Sequence, residues 1–192
     1  SPWRSWHDPQ RCFRGSALVA MDTRTDAVLW WDTLLPKEGC RCLACDEERG
    51  LLYALGYPRD HLITYDPATR ARRDLGRIGS INAQALFVDR RHRVWSTDDD
   101  GRFVRYDPAT DRVERSPNVV PHEPGAQTGW HGVFYDVTPA PDGESVFAVT
   151  WCMAPHLFRL WPDDGAWGRV VDLGRVGQDR DATWPVDLDV DH

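Results

Sequence analysis

Lysine is almost missing from this chain: Lys37 stands alone, and arginine carries nearly all of the positive charge. Positive charge is itself in the minority, with 23 Lys+Arg against 30 Asp+Glu and a net charge of −7. An acidic chain without a basic stripe is not built to neutralise phosphates, so no nucleic-acid partner is expected. No apolar run approaches the ~18 residues that a membrane-spanning helix requires, and no membrane span is expected. No helix is evident, and no capping signal stands ahead of the aromatic run Trp30 to Leu35. The cysteines are Cys12, Cys40, Cys42, Cys45 and Cys152. An odd number excludes a complete disulfide framework. No Ser-His-Asp arrangement, His-Glu-x-x-His or phosphate loop is present.

What the chain does have is repetition. Tyr65-Asp66-Pro67-Ala68-Thr69 returns unchanged as Tyr106-Asp107-Pro108-Ala109-Thr110. Met21-Asp22-Thr23-Arg24-Thr25 is a weaker copy, and Trp161-Pro162-Asp163-Asp164-Gly165 a looser one. Further phrases align around these. Cys42-Leu43-Ala44-Cys45-Asp46, a polar turn ending in Gly50, and Leu51 to Leu55 match Ala85 to Asp89, a turn at Arg90-Arg91-His92, and Arg93 to Ser96. Asp136 to Pro139, Ala140 to Gly143 and Ser145 to Val149 form a third copy. Each reads as strand, tight turn, strand. Third strands follow at His61 to Tyr65, Arg102 to Tyr106 and His156 to Leu160. Asp-Pro-Ala-Thr then turns into a fourth strand: Asp accepts from amides inside the turn and Pro presets φ. Asp74-Leu75-Gly76-Arg77 and Asp172-Leu173-Gly174-Arg175 repeat in two of the fourth strands.

A period of roughly 40–50 residues built from short strands marks an all-β propeller of four-stranded antiparallel blades. One domain over residues 1–192 is expected. Its blades span 41–78, 83–117 and 131–174, with partial blades at 1–34 and 183–192. Blade one shows only its outer strands, near Ala17 to Asp22 and Ala27 to Asp32. Trp30 to Leu35 also reads as strand. The last segment, Pro185 to Val190, reads as an inner strand. It either closes a four-bladed ring against blade one or begins a further blade of a larger propeller; the second is the expectation.

These phrases resemble the broad superfamily of bacterial propellers that includes YVTN, NHL, streptogramin-lyase-like and quinoprotein repeats. Ala17 to Trp30 is closest to a quinoprotein repeat, with Asp26 where glycine is usual. The resemblance implies a central channel lined by the inner strands. It also implies a ligand face at the pole where the loops approaching those strands meet the turns between second and third strands. The candidate ligand-binding residues at that pole are Arg41, His61, Gln84, Arg102, Trp130, His131 and His156. His61, Arg102 and His156 open successive third strands, so they fall on a ring. Such a ring would be cationic or nearly so, suiting an anionic or hydroxyl-rich ligand such as an acidic sugar. Trp130, Trp151 and Trp184 would stack on sugar rings.

No cofactor or metal is expected. Cys40-x-Cys42-x-x-Cys45 lies on a strand, where Cys40 and Cys42 would face one side and Cys45 the other, so three sulfurs would not converge. The bland expectation is small buried thiols. Asp98-Asp99-Asp100-Gly101 reads as an Asp-Gly hairpin in preference to a calcium loop. Asp187, Asp189 and Asp191 share one strand face. Three functions remain open: a propeller that binds a polar ligand, a glycan or a protein; a carbohydrate-active enzyme such as a polysaccharide lyase; and a structural repeat module. The lyase would need a base, His131 or Tyr57, and a cation, Arg102 or Arg41. Catalysis is the less favoured reading, because no acid–base pair can be placed.

Overall fold

A computed structural model describes residues 14–80, 83–121, 132–150 and 155–177. Among these residues all regular structure is β-strand. Three four-stranded antiparallel sheets follow one another. Blade two comprises β3 (Gly39–Asp46), β4 (Leu51–Tyr57), β5 (His61–Asp66) and β6 (Ala71–Arg77). Blade three comprises β7 (Phe87–Val88), β8 (Val94–Thr97), β9 (Arg102–Asp107) and β10 (Arg112–Val119). Blade four comprises β11 (Phe134–Pro139), β12 (Val146–Thr150), β13 (His156–Trp161) and β14 (Arg169–Arg175). Blade one is a two-stranded sheet of β1 (Gly15–Asp22) and β2 (Ala27–Pro36). The fold is therefore that of β-propeller blades. Trp30 to Leu35 lies within β2, as its aromatic and β-prone residues indicate. The segment 185–190 lies outside the described residues.

The repeated phrase makes the same turn each time. The Asp66 and Asp107 carboxylates each accept from the amide two residues on, at 2.8 Å, and Asp22 does the same for Arg24 at 2.8 Å. Four residues after each Asp the backbone enters the left-handed region, at Asp26, Arg70 and Asp111 (φ 56°, 60° and 56°). This equivalence identifies β1 as a third strand and β2 as a fourth. In the first-to-second turns, the left-handed position belongs to Gly50 and Gly143, but to His92 in blade three (φ 63°). The His92 ring reaches across to blade two, its Nδ1 3.0 Å from Asp46, and links the two blades.

The hydrophobic cores lie between blades. Leu34 and Leu35 of blade one meet Ala54, Ile63 and Tyr65. Tyr53, Leu55 and Leu62 meet Leu86, Val94, Val104 and Tyr106. Phe87, Trp95 and Phe103 meet Phe134, Ala148, Phe158 and Leu160. Alternation along each strand puts one set of side chains toward each neighbouring blade. Trp95 is wholly buried, stacked on Phe87 and edge-on to Phe103 and Trp167. Fully burying a side chain of this kind contributes about 1.5–3 kcal/mol.

Candidate functional site: the upper rim

The polarity of the strands sorts the loops onto two poles. Loops approaching the inner strands, second-to-third turns and the ends of the fourth strands share one pole, here called upper. First-to-second and third-to-fourth turns share the lower pole.

At the upper pole each blade closes alike. The residue before the third strand accepts from the amide just beyond the fourth strand: Asp60 from Ile78, Gly101 from Val120 and Pro155 from Val176, at 2.8–2.9 Å. His61, Arg102 and His156 open β5, β9 and β13 and pair with Arg77, Val119 and Arg175. Their matched positions follow directly from the repeat.

Their charges differ from expectation. His61 Nδ1 lies 3.0 Å from Asp74 and 3.7 Å from Glu38. His156 Nδ1 lies 2.8 Å from Asp172. The same aspartates accept from the amides of Gly76 and Gly174, both at 2.8 Å and both left-handed. Asp-Leu-Gly-Arg is thus a strand-end device that holds a histidine. In blade three all three parts change together: Arg102 replaces His, Ser116 replaces Asp and Asn118 replaces Gly. Ser116 Oγ still accepts from the Asn118 amide at 2.9 Å, so the turn survives without a carboxylate. The ring is therefore not cationic throughout, because two of its three members sit against their own anions. Arg102 is exposed, and its side chain makes no hydrogen bond or ion pair among the described residues.

Arg41 and Gln84 are brought together. Arg41 Nη1 donates to Gln84 Oε1 at 2.7 Å, and the guanidinium lies 4.1 Å from the centre of the Tyr57 ring. The cause is a β-bulge between Cys40 and Cys42, which adds one residue opposite β4. The bulge also corrects the expected cysteine pattern. Cys40 packs into the core between blades one and two, Cys42 into the core between two and three, and Cys45 is exposed. Burial pushes the Cys40 thiol up to about 11 and raises Cys42 still further, so neither is a reactive thiolate.

Two carboxylates not anticipated as site residues complete the rim. Asp60 is wholly buried although its backbone is left-handed (φ 52°), where blade three uses Gly101. Its Oδ2 accepts from the Ala83 amide at 3.2 Å, while its Oδ1 has no hydrogen-bond partner among the described residues. Burial, opposed by the Ala83 bond and reinforced by Asp99, raises its pKa to about 6. Glu38 is buried in the turn before β3, with Oε2 also unpartnered. A buried acceptor without a donor costs on the order of 1–3 kcal/mol, so such groups mark places where something other than stability is served. The only sequence signal for Asp60 was an aspartate at a position where glycine is easier.

The Asp98-Asp99-Asp100-Gly101 segment is a hairpin held by its own acids. Asp98 accepts from the Asp100 and Arg102 amides at 3.1 and 2.9 Å, and Asp99 accepts from the Ser80 amide at 2.7 Å. With Arg77, Gly79 and Arg115 it lines a cleft of about 360 Å³ between blades two and three. Trp130, His131, Trp151 and Trp184 lie outside the described residues.

No family of known proteins matches the sequence, and no curated protein does either. Solved structures do match the fold. Hydrazine synthase from Kuenenia stuttgartiensis aligns with a TM-score of 0.57 at 12% identity, over 81% of this chain and 43% of that one. An auxiliary nutrient binding protein from Bacteroides thetaiotaomicron aligns at 0.59 and 11% identity, over 87% of this chain and 44% of that one. The extracellular domain of a putative hybrid two component system from B. thetaiotaomicron aligns at 0.59 and 15% identity, over 84% of this chain and 20% of that one. The chain spans less than half the length of each. Identities this low speak to fold alone, and the fold they share is the β-propeller. Among the described residues no helix is long and apolar enough to cross a membrane.

Proposed function

We propose that this chain is a ligand-binding propeller module whose upper rim takes a hydroxyl-rich ligand of the carbohydrate class. One observation carries the reading: Asp60 and Glu38 are buried at that rim with acceptor oxygens that no group among the described residues satisfies. The Arg41–Gln84 pair beside Tyr57 supplies donors and a polar edge at the same pole. A sugar offers hydroxyls that donate to carboxylates and accept from guanidinium, and it tolerates a rim whose charges are already paired. The Arg102 guanidinium, without an ion-pair partner among the described residues, adds a place for one acidic substituent. A nutrient-binding protein among the fold neighbours is in keeping with this use of the scaffold, although fold alone does not carry function.

A second reading is favoured by a single feature. A buried carboxylate whose pKa is raised to about 6, coupled to Arg41, has the make-up of a base beside a cation. That is what a lyase acting on uronate-containing polysaccharides requires, with Asp60 taking the part assigned above to His131 or Tyr57.

The test is titration calorimetry against neutral and acidic oligosaccharides, with reaction products followed in parallel. Binding of a glycan, weakened about tenfold or more in Asp60→Asn or Arg41→Ala while the melting temperature holds, is the expected result. Affinity for a glycan that ignores both substitutions would remove the rim as the site. Appearance of unsaturated products, lost in Asp60→Asn, would establish the lyase.

A further inference from the structure

The lower pole joins neighbouring blades in two different ways. Between blades two and three the link is the His92 ring, with Nδ1 3.0 Å from Asp46 and Nε2 3.6 Å from Glu48. His92 holds the left-handed place of its turn (φ 63°), and its amide donates to the Asp89 carbonyl at 2.8 Å. Gly143 holds that place in blade four, with φ 62° and its amide 2.9 Å from the Ala140 carbonyl. Glycine brings no ring to the junction of blades three and four. Among the described residues, a Cβ built on Gly143 would meet one group within 4 Å, the end of the Arg90 guanidinium at 3.2 Å.

The space left there is a cavity of about 260 Å³. Its body is apolar, lined by Phe87 and Val88 of β7, Val137 and Pro139 of β11, and Val146 of β12. A polar brace fixes its walls. Arg93 bonds Asp89 at 2.6 Å and Asp163 at 2.7 Å, tying blade three to the third-to-fourth turn of blade four. Both oxygens of Asp89 are engaged, so this wall serves the framework. A cavity braced in this way is formed before any ligand arrives, and its volume suits a molecule smaller than a drug-sized ligand.

The charges that remain available stand at the mouth. Arg90 and Glu144 line the cavity from opposite blades and are 58% and 66% exposed. Arg90 Nη1 lies 3.6 Å from Glu144 Oε1, too far for a hydrogen bond. So exposed a pair contributes little to stability and opens at little cost. The guanidinium fork matches a carboxylate, and the Glu144 carboxylate accepts from an ammonium group. One cation beside one anion, above an apolar slot, is the complement of a small zwitterion with an apolar tail.

We propose that this cavity binds a free α-amino acid with an apolar side chain, up to about the size of phenylalanine. Its carboxylate pairs with Arg90 and its ammonium group with Glu144. Its side chain enters among Phe87, Val88, Val137 and Val146, standing at this junction where the His92 ring stands at the preceding one. The site lies at the pole opposite the carbohydrate rim and does not depend on it.

The experiment titrates the whole chain with L-phenylalanine and follows its amide signals by NMR. Saturable shifts at residues 86–90 and 143–146 are expected. Phenethylamine, which lacks the carboxylate, and phenylacetate, which lacks the ammonium group, should each bind about tenfold more weakly or worse. Arg90→Ala and Glu144→Ala should weaken L-phenylalanine by a similar factor, with the rest of the spectrum unchanged. Gly143→His, whose backbone His92 already adopts, should fill the slot with its own ring and abolish the shifts. Should that variant fail to fold, the two charge variants decide the matter alone. Equal affinity for all three probes would reduce the cavity to a greasy slot and overturn the amino-acid reading. Binding indifferent to Arg90→Ala and Glu144→Ala would do the same. Absence of saturable shifts at tens of millimolar L-phenylalanine, or shifts confined to the upper rim, would remove the site.

Discussion

Two aspartates with buried side chains, one at each pole, show how differently the same residue is used. Asp89, at the lower pole, accepts from the amides of Arg91 and Arg93 at 2.9 and 3.0 Å. It also accepts from Arg93 Nε at 2.6 Å and from Trp95 Nε1 at 2.7 Å. Both of its oxygens are used, and Arg93 carries the link on to Asp163 of blade four at 2.7 Å. Asp60, at the upper pole, is wholly buried but has, among the described residues, one amide donor and one oxygen without a partner. Full pairing makes Asp89 a structural rivet between Trp95 and two blades. Partial pairing makes Asp60 a group that costs stability and keeps an unused acceptor. Burial alone therefore does not separate framework from site; the count of satisfied lone pairs does.

The comparison is most easily broken at the lower pole. Asp89→Ala leaves the Trp95 indole N–H and Arg93 Nε without their acceptor, although Asp163 still holds the Arg93 guanidinium, and should cost about 2–4 kcal/mol. Urea and thermal unfolding measure it; a loss under ~1 kcal/mol would remove the structural role of Asp89. The next largest effect belongs to pH. A carboxyl whose pKa rises to about 6 on folding contributes stability that is full below its ordinary value and lost as pH climbs through about 6. Unfolding midpoints of the natural chain should therefore drift downward between roughly pH 4 and pH 6 by more than those of Asp60→Asn. Parallel pH profiles for the two proteins would show that Asp60 does not carry the titration.

Smaller effects sharpen the contrast within the upper rim. Gln84→Ala leaves the Arg41 guanidinium without its 2.7 Å partner and should cost about 1 kcal/mol, with the larger consequence in ligand affinity. Arg102→Ala should change stability by less than about 0.5 kcal/mol, since its side chain holds nothing in place. If that substitution lowers the melting temperature as much as Gln84→Ala does, Arg102 belongs to the framework and not to the ligand face.

Much of this was legible beforehand, for a definite reason. Asp-Pro-Ala-Thr, the Asp-Gly turns and the alternating strands are local devices, each made by residues a few positions apart. Repetition then shows them several times, so the all-β blades and the matched places of His61, Arg102 and His156 could be read in advance. The pairing of those histidines was hidden, since Asp74 and Asp172 reach them across neighbouring strands. The cysteine pattern was misjudged because alternation assumes a regular strand, and the bulge at Arg41 breaks it. Asp60 and Glu38 carried no motif.

The sequence by itself determined the blade: its turns, its strand period and the pole on which each loop lies, all of them consequences of short-range sterics and hydrogen bonding. Tertiary structure decided which charges remain available. Whether a carboxylate is neutralised depends on groups from other strands and other blades, and on whether water still reaches it. That is why His61 and His156 proved to be paired, Arg102 open and Asp60 buried with an empty oxygen.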